Sequence, residues 1–442
     1  MASAIAGDSE TVSDIRDQSM GSEPDPTASA CRKTVLPNGL RVLTEHIEHV
    51  DSVSLGLWIA GGAREDPAQV PGTTHFLEHM FFKGTEARSA LQIAEDIDDI
   101  GGQVNGYTDR EAVHLHARTV ADQLEPALQL LFELVLRPLC AEEDVDRERG
   151  VVLQELAQLA DAPEDLVHEL VPQTAWPEHP LGRPLMGTPE SVQHIDRSSL
   201  LAYLSELRRA DRIIVAAAGR VEHDRVVELA AVNGGQLESG HAGPKVEAPR
   251  FHPGERLLAQ NGAQVHFCLV TPGFARTDDS RYAFSLFDTI LGGGTSSRLF
   301  QEIRENRGLT YGIGSYSQPY REAGLFVIDA GTAPDNLYIV LDLVEKELER
   351  LRAEVPAQQE LERAKTQLRV ALALAAESTS FRMQHLAVSE MFWGRHVSFE
   401  ETAAGVEAVT AEDVHSLAKG AFTEDRRALI AIGPFRDEGR PK

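Results

Sequence analysis

The apolar and polar positions in the first half of the chain follow strand and helix periods in turn. The segment KTVLPNGLRVLTEH predicts two strands that turn at Pro37-Asn38-Gly39, while VSLGLWIA (53–60) and RIIVAAAG (212–219) predict buried strands. Helical periodicity predicts helices over residues 73–83, 88–100, 121–136, 142–160 and 196–209. This mixture predicts an α+β fold in which helices cover a sheet.

The same pattern repeats after a linker. Residues 233–255 are rich in Gly, Pro and charge, which is typical of a linker. Beyond it, VHFCLVTPG (265–273) resembles VSLGLWIAGG, and SLFDTILGGGT (285–295) aligns with HFLEHMFFKGT (75–85) without a gap. The sequence therefore predicts an internal duplication into two homologous α+β halves, each a mainly antiparallel sheet packed with helices.

These patterns predict boundaries along the chain. The first and second halves are predicted at residues 34–232 and 256–436, on either side of the linker. An acidic tail with the composition of a disordered segment precedes them at 1–33, and a short tail follows at 437–442.

The charge balance narrows the classes of partner. The chain of 442 residues carries a formal net charge of −27. Nucleic acid is not an expected partner, because binding phosphates needs a basic surface. A negative cavity would instead attract basic peptides, although the net charge does not show where the charges lie and solubility alone is an equal explanation.

Cysteine usage and apolar run lengths bear on the compartment. Cys31, Cys140 and Cys268 are widely spaced and odd in number, so no disulfide framework is expected and a reducing, cytoplasmic compartment fits best. The N-terminus lacks the basic leader and apolar stretch of a secretory signal, and its acidic residues argue against a mitochondrial presequence. No run approaches the roughly 18 apolar residues of a membrane helix, so we expect no membrane span.

The stretch GTTHFLEHMFFKGT (72–85) carries the strongest chemical signal. His75 and His79 are four residues apart, so on a helix they share a face and can offer two imidazole nitrogens to one ion. Catalytic zinc usually has three protein ligands plus water. Glu78 lies close enough to take a proton from that water and pass it to a leaving amine. The order H-x-x-E-H is the inverted zincin motif, although a helix with two histidines at its exposed edge shows the same letters.

The duplication bears on this chemistry. In the second half, Ser285 and Thr289 stand at the positions of His75 and His79. The halves share a predicted fold, but only the first keeps the histidines, which suggests that a metal site belongs to the first half alone.

A third ligand must come from elsewhere in the chain. The predicted helix 142–160 carries Glu148 and Glu155, which are seven residues apart and share a face. Glu155 follows the apolar run 151–153 and should turn towards the core, where a carboxylate needs a partner such as zinc. A solvated helix flank is the alternative for both acids.

Four segments, LPNGLRVL, GTTHFLEHMFFKGT, NGYTDREAV and RERGVVLQE, resemble the pitrilysin/insulinase family of zinc peptidases in order and spacing. The likeness is to the short two-domain branch, which contains the β subunit of mitochondrial processing peptidase and bacterial relatives, and it covers about residues 34–436. The resemblance implies one zinc per chain, held by three ligands, with a general base and a supporting acid nearby. The implied zinc ligands are His75, His79 and Glu155. The implied general base is Glu78, and the implied supporting acid is Glu148.

The resemblance also implies residues that contact the substrate from the second half. RLFQEIRENRGLTYGIGSYS (298–317) resembles the family segment whose Arg and Tyr reach the bound peptide, and here these are Arg304 and Tyr311. A guanidinium and a phenol can hydrogen-bond a peptide carbonyl and steady a developing oxyanion. A surface Arg–Glu pair beside a core tyrosine is the alternative.

The segment NGYT (105–108) resembles the family's N-A-x-T, with Gly106 in place of the usual alanine. The resemblance implies that a substrate peptide adds as a strand to this sheet edge, which makes Asn105 a substrate-binding residue. Nearby, His114 and His116 alternate on one strand face, where lining or packing is favoured over metal ligation.

Together these residues predict a zinc metalloendopeptidase that cleaves peptides or unfolded segments, by attack of zinc-bound water with Glu78 as general base. Long members of the family carry four such domains in one chain. A two-domain chain is therefore expected to pair with a second chain, as a homodimer or as a heterodimer with a paralogue. The alternative is a non-catalytic core or binding subunit of a peptidase-like complex. Such relatives typically lose zinc-site residues, and this chain keeps them.

Overall fold

The computed structural model describes residues 31–240, 246–421 and 423–435. The first of its two sheets has six strands in the order β1-β2-β6-β3-β5-β4, of which only β2 and β6 pair in parallel. Its strands are β1 (Cys31–Val35), β2 (Arg41–His46), β3 (Ser52–Ala60), β4 (Gln103–Thr108), β5 (Ala112–Val120) and β6 (Ile213–Gly219).

The second sheet has five strands in the order β7-β11-β8-β10-β9, and again one pair, β7 with β11, is parallel. Its strands are β7 (Gly254–Ala259), β8 (Val265–Pro272), β9 (Thr310–Pro319), β10 (Gly324–Thr332) and β11 (Ala428–Gly433). This order matches that of β2-β6-β3-β5-β4 in the first sheet. The predicted α+β fold of two mainly antiparallel, duplicated halves is confirmed.

Helices cover both sheets, and a π-helix spans Phe300–Glu305. The α-helices are α1 (Thr73–Phe81), α2 (Ala90–Ile100), α3 (Leu124–Leu136), α4 (Glu142–Asp161), α5 (Pro163–Ala175), α6 (Pro189–His194), α7 (Arg197–Leu207), α8 (His223–Gly234), α9 (Arg281–Leu291), α10 (Leu337–Ala353), α11 (Gln358–Ala375), α12 (Thr379–Trp393), α13 (Phe399–Ala408) and α14 (Ala411–Ala421). Each of the five helices predicted in the first half is present, with ends that differ by a few residues.

The two halves exchange helices across their sheets. One face of the first sheet packs on α1 and α3 of its own half. Its other face, which includes Trp58 and Ile214, is covered by Met383 and Leu386 of α12 from the second half. In return, α5 of the first half covers the second sheet, where it packs against β8, β10 and β11. Each half therefore completes the core of the other.

The predicted tail and linker boundaries can be compared with the ends of the observed strands and helices. Strand β1 begins at Cys31, so the last three residues of the predicted 1–33 tail pair with β2 as part of the sheet. Residues 1–30 and 436–442 lie outside the described residues. Within the predicted linker 233–255, α8 ends at Gly234 and β7 begins at Gly254, and 241–245 are not described. The division into domains stays a prediction.

Within the described ranges, none of the helices combines the length and apolar character needed to cross a membrane. Cys31, Cys140 and Cys268 are free thiols.

Candidate metal centre and active site

Helix α1 is held at its start by a buried carboxylate. Asp66 accepts hydrogen bonds from the backbone N–H groups of Gly72 (2.7 Å) and Thr74 (2.9 Å), which helix geometry leaves without partners. Burial raises the pKa of the Asp66 carboxyl to about 6, although these hydrogen bonds oppose the shift. Gly72 has a φ of 92°, and a Cβ there would lie 2.5 Å from the carbonyl oxygen of Met186. The start of α1 is therefore fixed in position.

The apolar side of α1 determines where its polar side chains point. Phe76, Leu77, Met80 and Phe81 are fully buried in the first-half core. At helical spacing, the residues between them lie on the other side of the helix. His75, Glu78 and His79 are accordingly only partly buried.

Two histidines of α1 and one glutamate of α4 converge. The Nε2 atoms of His75 and His79 lie 3.9 and 3.5 Å from Glu155 Oε2. One ligand atom from each of the three residues lies within 4.8 Å of the other two. Among the described residues, no other group of three His, Cys, Asp or Glu side chains meets this criterion. The structure thus brings together the three predicted zinc ligands.

The chemistry of these three residues fits a zinc ion. Glu155 Oε2 is buried without a hydrogen-bond partner among the described residues, although it faces two imidazole nitrogens. A buried carboxylate oxygen in that state is costly unless a cation or donor satisfies it. Burial, reinforced by the neighbouring His79, lowers the pKa of His75 to about 4, so its imidazole is neutral near pH 7. Neutral imidazoles and a carboxylate are ordinary zinc ligands.

Glu148 orients one of the histidines. Its Oε2 lies 3.2 Å from His79 Nδ1, and its Oε1 lies 2.8 Å from the ammonium of Lys83. Glu148 is 3% exposed. When His79 Nδ1–H donates to this carboxylate, the Nε2 lone pair points towards Glu155, which is the arrangement seen around metal-binding histidines. Lys83, which lies just beyond the end of α1 at Phe81, was not predicted.

Glu78 is held by strand β4. Thr108 donates its hydroxyl to Glu78 Oε2 at 2.5 Å. A Cβ at Gly106 would lie only 2.9 Å from Glu78 Oε1, so glycine gives the carboxylate room against the strand. Burial raises the pKa of Glu78, and the hydrogen bond from Thr108 opposes that rise. The departure from the family's alanine at position 106 therefore has a spatial explanation.

Asn105 lies on the same strand with a different orientation. Strand β4 is the last strand of its sheet, and Asn105 pairs with His116 of β5. Because side chains alternate along a strand, Asn105 points to the face opposite Gly106 and Thr108. The role of Asn105 in substrate binding stays a prediction. It depends on the unpaired backbone edge of β4, where a peptide could add as a strand.

Arg304 and Tyr311 contact each other in the second half. The Arg304 guanidinium lies 4.5 Å from the ring centroid of Phe300 and 5.5 Å from that of Tyr311. Tyr311 is 84% exposed, which excludes the core position given as its alternative. In the part of the chain that the structure describes, no hydrogen bond or ion pair joins either residue to the histidine cluster. Their contact with substrate stays a prediction.

His114 and His116 lie on the side of the first sheet that faces away from α1. The His114 ring stacks on Trp58 with a centroid distance of 4.9 Å, and His116 lies next to it at 5.3 Å. Neither residue belongs to the described metal-binding group. This arrangement is the packing role that the sequence favoured.

The contact between Thr108 and Glu78 leads to a first prediction. Replacing Thr108 with valine keeps its shape and leaves a carboxylate oxygen without its donor, so we expect about tenfold lower peptidase activity with unchanged zinc content. Thr108→Ser restores a hydroxyl and should stay within about threefold of wild type. Initial rates and metal analysis on the two variants check this. Equal losses in both variants would show that the hydroxyl is not responsible.

Two family profiles match the chain. The profile of insulinase, peptidase family M16, matches residues 41–189, and the profile of the peptidase M16 inactive domain matches residues 194–368. The first match contains the α1 histidines and Glu155, and the second contains Arg304 and Tyr311.

Individual relatives span nearly the whole chain. An uncharacterized zinc protease of Streptomyces coelicolor is 37% identical over 419 residues, covering 92% of this chain and 90% of the relative. The uncharacterized zinc protease YmxG of Bacillus subtilis is 34% identical over 397 residues, covering 90% and 97%.

Solved structures share the fold at lower identity. The crystal structure of a peptidase M16 inactive domain from Pseudomonas fluorescens has a TM-score of 0.85 at 23% identity, covering 93% of this chain and 100% of that one. A protease from Helicobacter pylori has a TM-score of 0.85 at 19% identity, covering 92% and 100%.

Proposed function

Because this chain belongs to the insulinase (M16) family of peptidases, with its two matching domains in the order of the short branch, we propose that it is a zinc metalloendopeptidase of peptides or unfolded segments. The observation that carries the proposal is the convergence of His75, His79 and Glu155, whose ligand atoms lie within 4.8 Å of one another beside Glu78. Relatives that are named zinc proteases support the same assignment.

The chain's own residues divide the work as follows. His75, His79 and Glu155 hold one zinc ion, and Glu148 keeps the His79 ring in position. When bound, zinc polarises a water molecule and the scissile carbonyl. Glu78 accepts a proton from the attacking water and delivers it to the leaving amine nitrogen. Thr108 donates its hydroxyl to Glu78 Oε2, so Oε1 is the carboxylate oxygen that accepts the proton from water.

The substrate is proposed to bind as an extended strand. The outer edge of β4 has no strand beside it in the described sheet, and Gln103, Asn105 and Tyr107 are exposed along it. Main-chain pairing on such an edge gives affinity with little dependence on sequence. The net charge of −27 favours basic peptides. Arg304 and Tyr311 are proposed to contact the substrate when a second chain, either a copy or a paralogue, completes the chamber.

Metal removal tests the proposal. We expect the purified chain to contain about one zinc per polypeptide and to cleave an unstructured basic peptide. Dialysis against a chelator should abolish cleavage, and one equivalent of zinc should restore it, because activation of the attacking water requires the bound metal. Zinc analysis and product identification by mass spectrometry measure both quantities.

The result also separates the enzyme from a binding subunit. A protein that binds zinc and a set of basic and neutral peptides but cleaves none of them would favour the non-catalytic alternative. A protein that binds no zinc would remove the basis of the proposal.

A further inference from the structure

A hairpin turn of the second half reaches the first half next to the candidate site. The turn 320–323 joins β9 to β10 and contacts residues 109–111, the turn that joins β4 to β5. The backbone N–H of Arg321 donates to Glu111 Oε1 at 3.0 Å. The Arg321 guanidinium donates to the carbonyl oxygen of Met391, at the end of α12, at 3.1 Å. The turn 320–323 is therefore fixed on both sides.

A cluster of charges closes this contact. Glu322 Oε2 lies 2.9 Å from Arg64 Nη2, and Arg64 Nη1 donates to Glu111 Oε1 at 2.7 Å. The side chains of Arg64, Glu111 and Glu322 are only 8%, 7% and 16% exposed. The Glu322–Arg64 contact is a charge contact without hydrogen-bond geometry. Removing one member of a buried charge cluster is costly because it leaves the remaining charges uncompensated.

Arg64 belongs to the segment that leads into α1. The backbone N–H groups of Ala63 and Arg64 donate to the carbonyl oxygens of Asp109 and Arg110 at 3.0 and 3.1 Å. Gly62 packs so closely on this turn that a Cβ would lie 2.2 Å from the Asp109 oxygen. Two residues after Arg64, the Asp66 carboxylate accepts the first N–H groups of α1. The position of segment 61–66 thus sets the start of the helix that carries His75 and His79.

The other end of the contact leads to the proposed base. Thr108, which donates to Glu78, immediately precedes the 109–111 turn. The charge cluster is therefore next to the site on two sides. Arg64 belongs to segment 61–66, which leads to α1, and Glu111 belongs to the turn that follows Thr108, the donor to Glu78. A shift of the 109–111 turn would change both.

We propose that Glu322, in the second half, is a positioning residue for the proposed metal centre in the first half. It holds Arg64 and, through it, Glu111, and so fixes α1 relative to β4 without contacting the site. The inference rests on the proposed function only in taking zinc as the metal.

Zinc affinity measures this role without depending on catalysis. Glu322→Gln keeps the shape of the side chain and removes its charge, so we expect zinc to bind about 3- to 10-fold more weakly, as is usual for coupling over a distance. Competition against a chromophoric chelator gives the affinity. Glu322→Asp keeps the charge with a shorter reach and should fall between wild type and Glu322→Gln.

A second ion pair supplies the matched control. Arg298 donates to both carboxylate oxygens of Glu360 at 2.9 and 2.8 Å, with side chains 15% and 20% exposed. Among the described residues, no hydrogen bond or ion pair joins either side chain to α1 or β4. Glu360→Gln should leave zinc affinity unchanged even if the zinc-free protein melts at a lower temperature. Melting curves of both zinc-free variants separate local from general effects.

The outcomes distinguish this inference from the proposed function. Wild-type zinc affinity in Glu322→Gln, or an equal loss in Glu360→Gln, would overturn the positioning role while leaving the zinc site in place. A wild-type protein without zinc affinity would overturn both.

Discussion

Replacing Glu78 with glutamine is expected to lower the turnover number by about 10²- to 10⁴-fold, the usual contribution of a general base. Glutamine has nearly the same shape and can still accept the hydrogen bond that Thr108 donates. It cannot take a proton from water. Because Glu78 is not among the three converging ligands, zinc content should remain about one per chain. Steady-state rates on a defined peptide, with metal analysis of the same samples, test both expectations.

A glutamate elsewhere on the surface is the control for this substitution. Glu95 is exposed on α2, and Glu95→Gln removes the same charge with no expected change in rate. Wild-type turnover in Glu78→Gln would remove Glu78 from the mechanism. Loss of zinc together with activity would instead make it a residue of the metal centre.

The second large effect is expected at Glu155. Replacing this residue with glutamine removes one of three ligands, so we expect zinc affinity to fall by more than about 100-fold and activity to fall with it. This threshold follows because losing a residue that only supports a ligand already costs about 10- to 100-fold. Glu148→Gln weakens the contacts to His79 and Lys83 but leaves all three proposed ligands in place, so its loss should fall within that smaller range. Chelator competition on the two variants gives the ranking.

Stability provides an independent measurement on Glu155. In zinc-free protein the variant should melt no lower than wild type, because it replaces a buried carboxylate oxygen that lacks a hydrogen bond. Added zinc should raise the melting temperature of wild type and have little effect on the variant, since only wild type binds it tightly. Equal zinc stabilisation of both proteins would place the third ligand elsewhere.

Some parts of this structure could be predicted because the signal is local. The apolar residues of α1 recur at helical spacing, and the spacing of four residues placed His75 and His79 on one face of that helix. The position of Glu155 could not be predicted in this way. Helical periodicity shows which face of α4 carries Glu155 but not which distant residues it contacts. The family resemblance supplied that pairing. The internal duplication was likewise visible in repeated segments, whereas the order of the strands was not.

Other features depend on distances that no sequence period reports. Asp66 and Lys83 act through contacts with a helix end and with Glu148, and nothing in their neighbouring residues marks them. The contact of Glu322 with Arg64 joins residues from different halves. The reason for glycine at position 106 became visible only from its distance to Glu78. These contacts result from packing, which a one-dimensional pattern does not specify.

The exchange of α5 and α12 between the sheets limits how far the chain can be shortened. A half that lost its partner would present Trp58, Ile214 and their neighbours to water, since the helix that covers them belongs to the other half. A chain truncated to its first half is therefore expected to expose this apolar surface and to aggregate. The second half has Ser285 and Thr289 where the first half has His75 and His79, yet its helix α12 is needed to keep the first sheet covered.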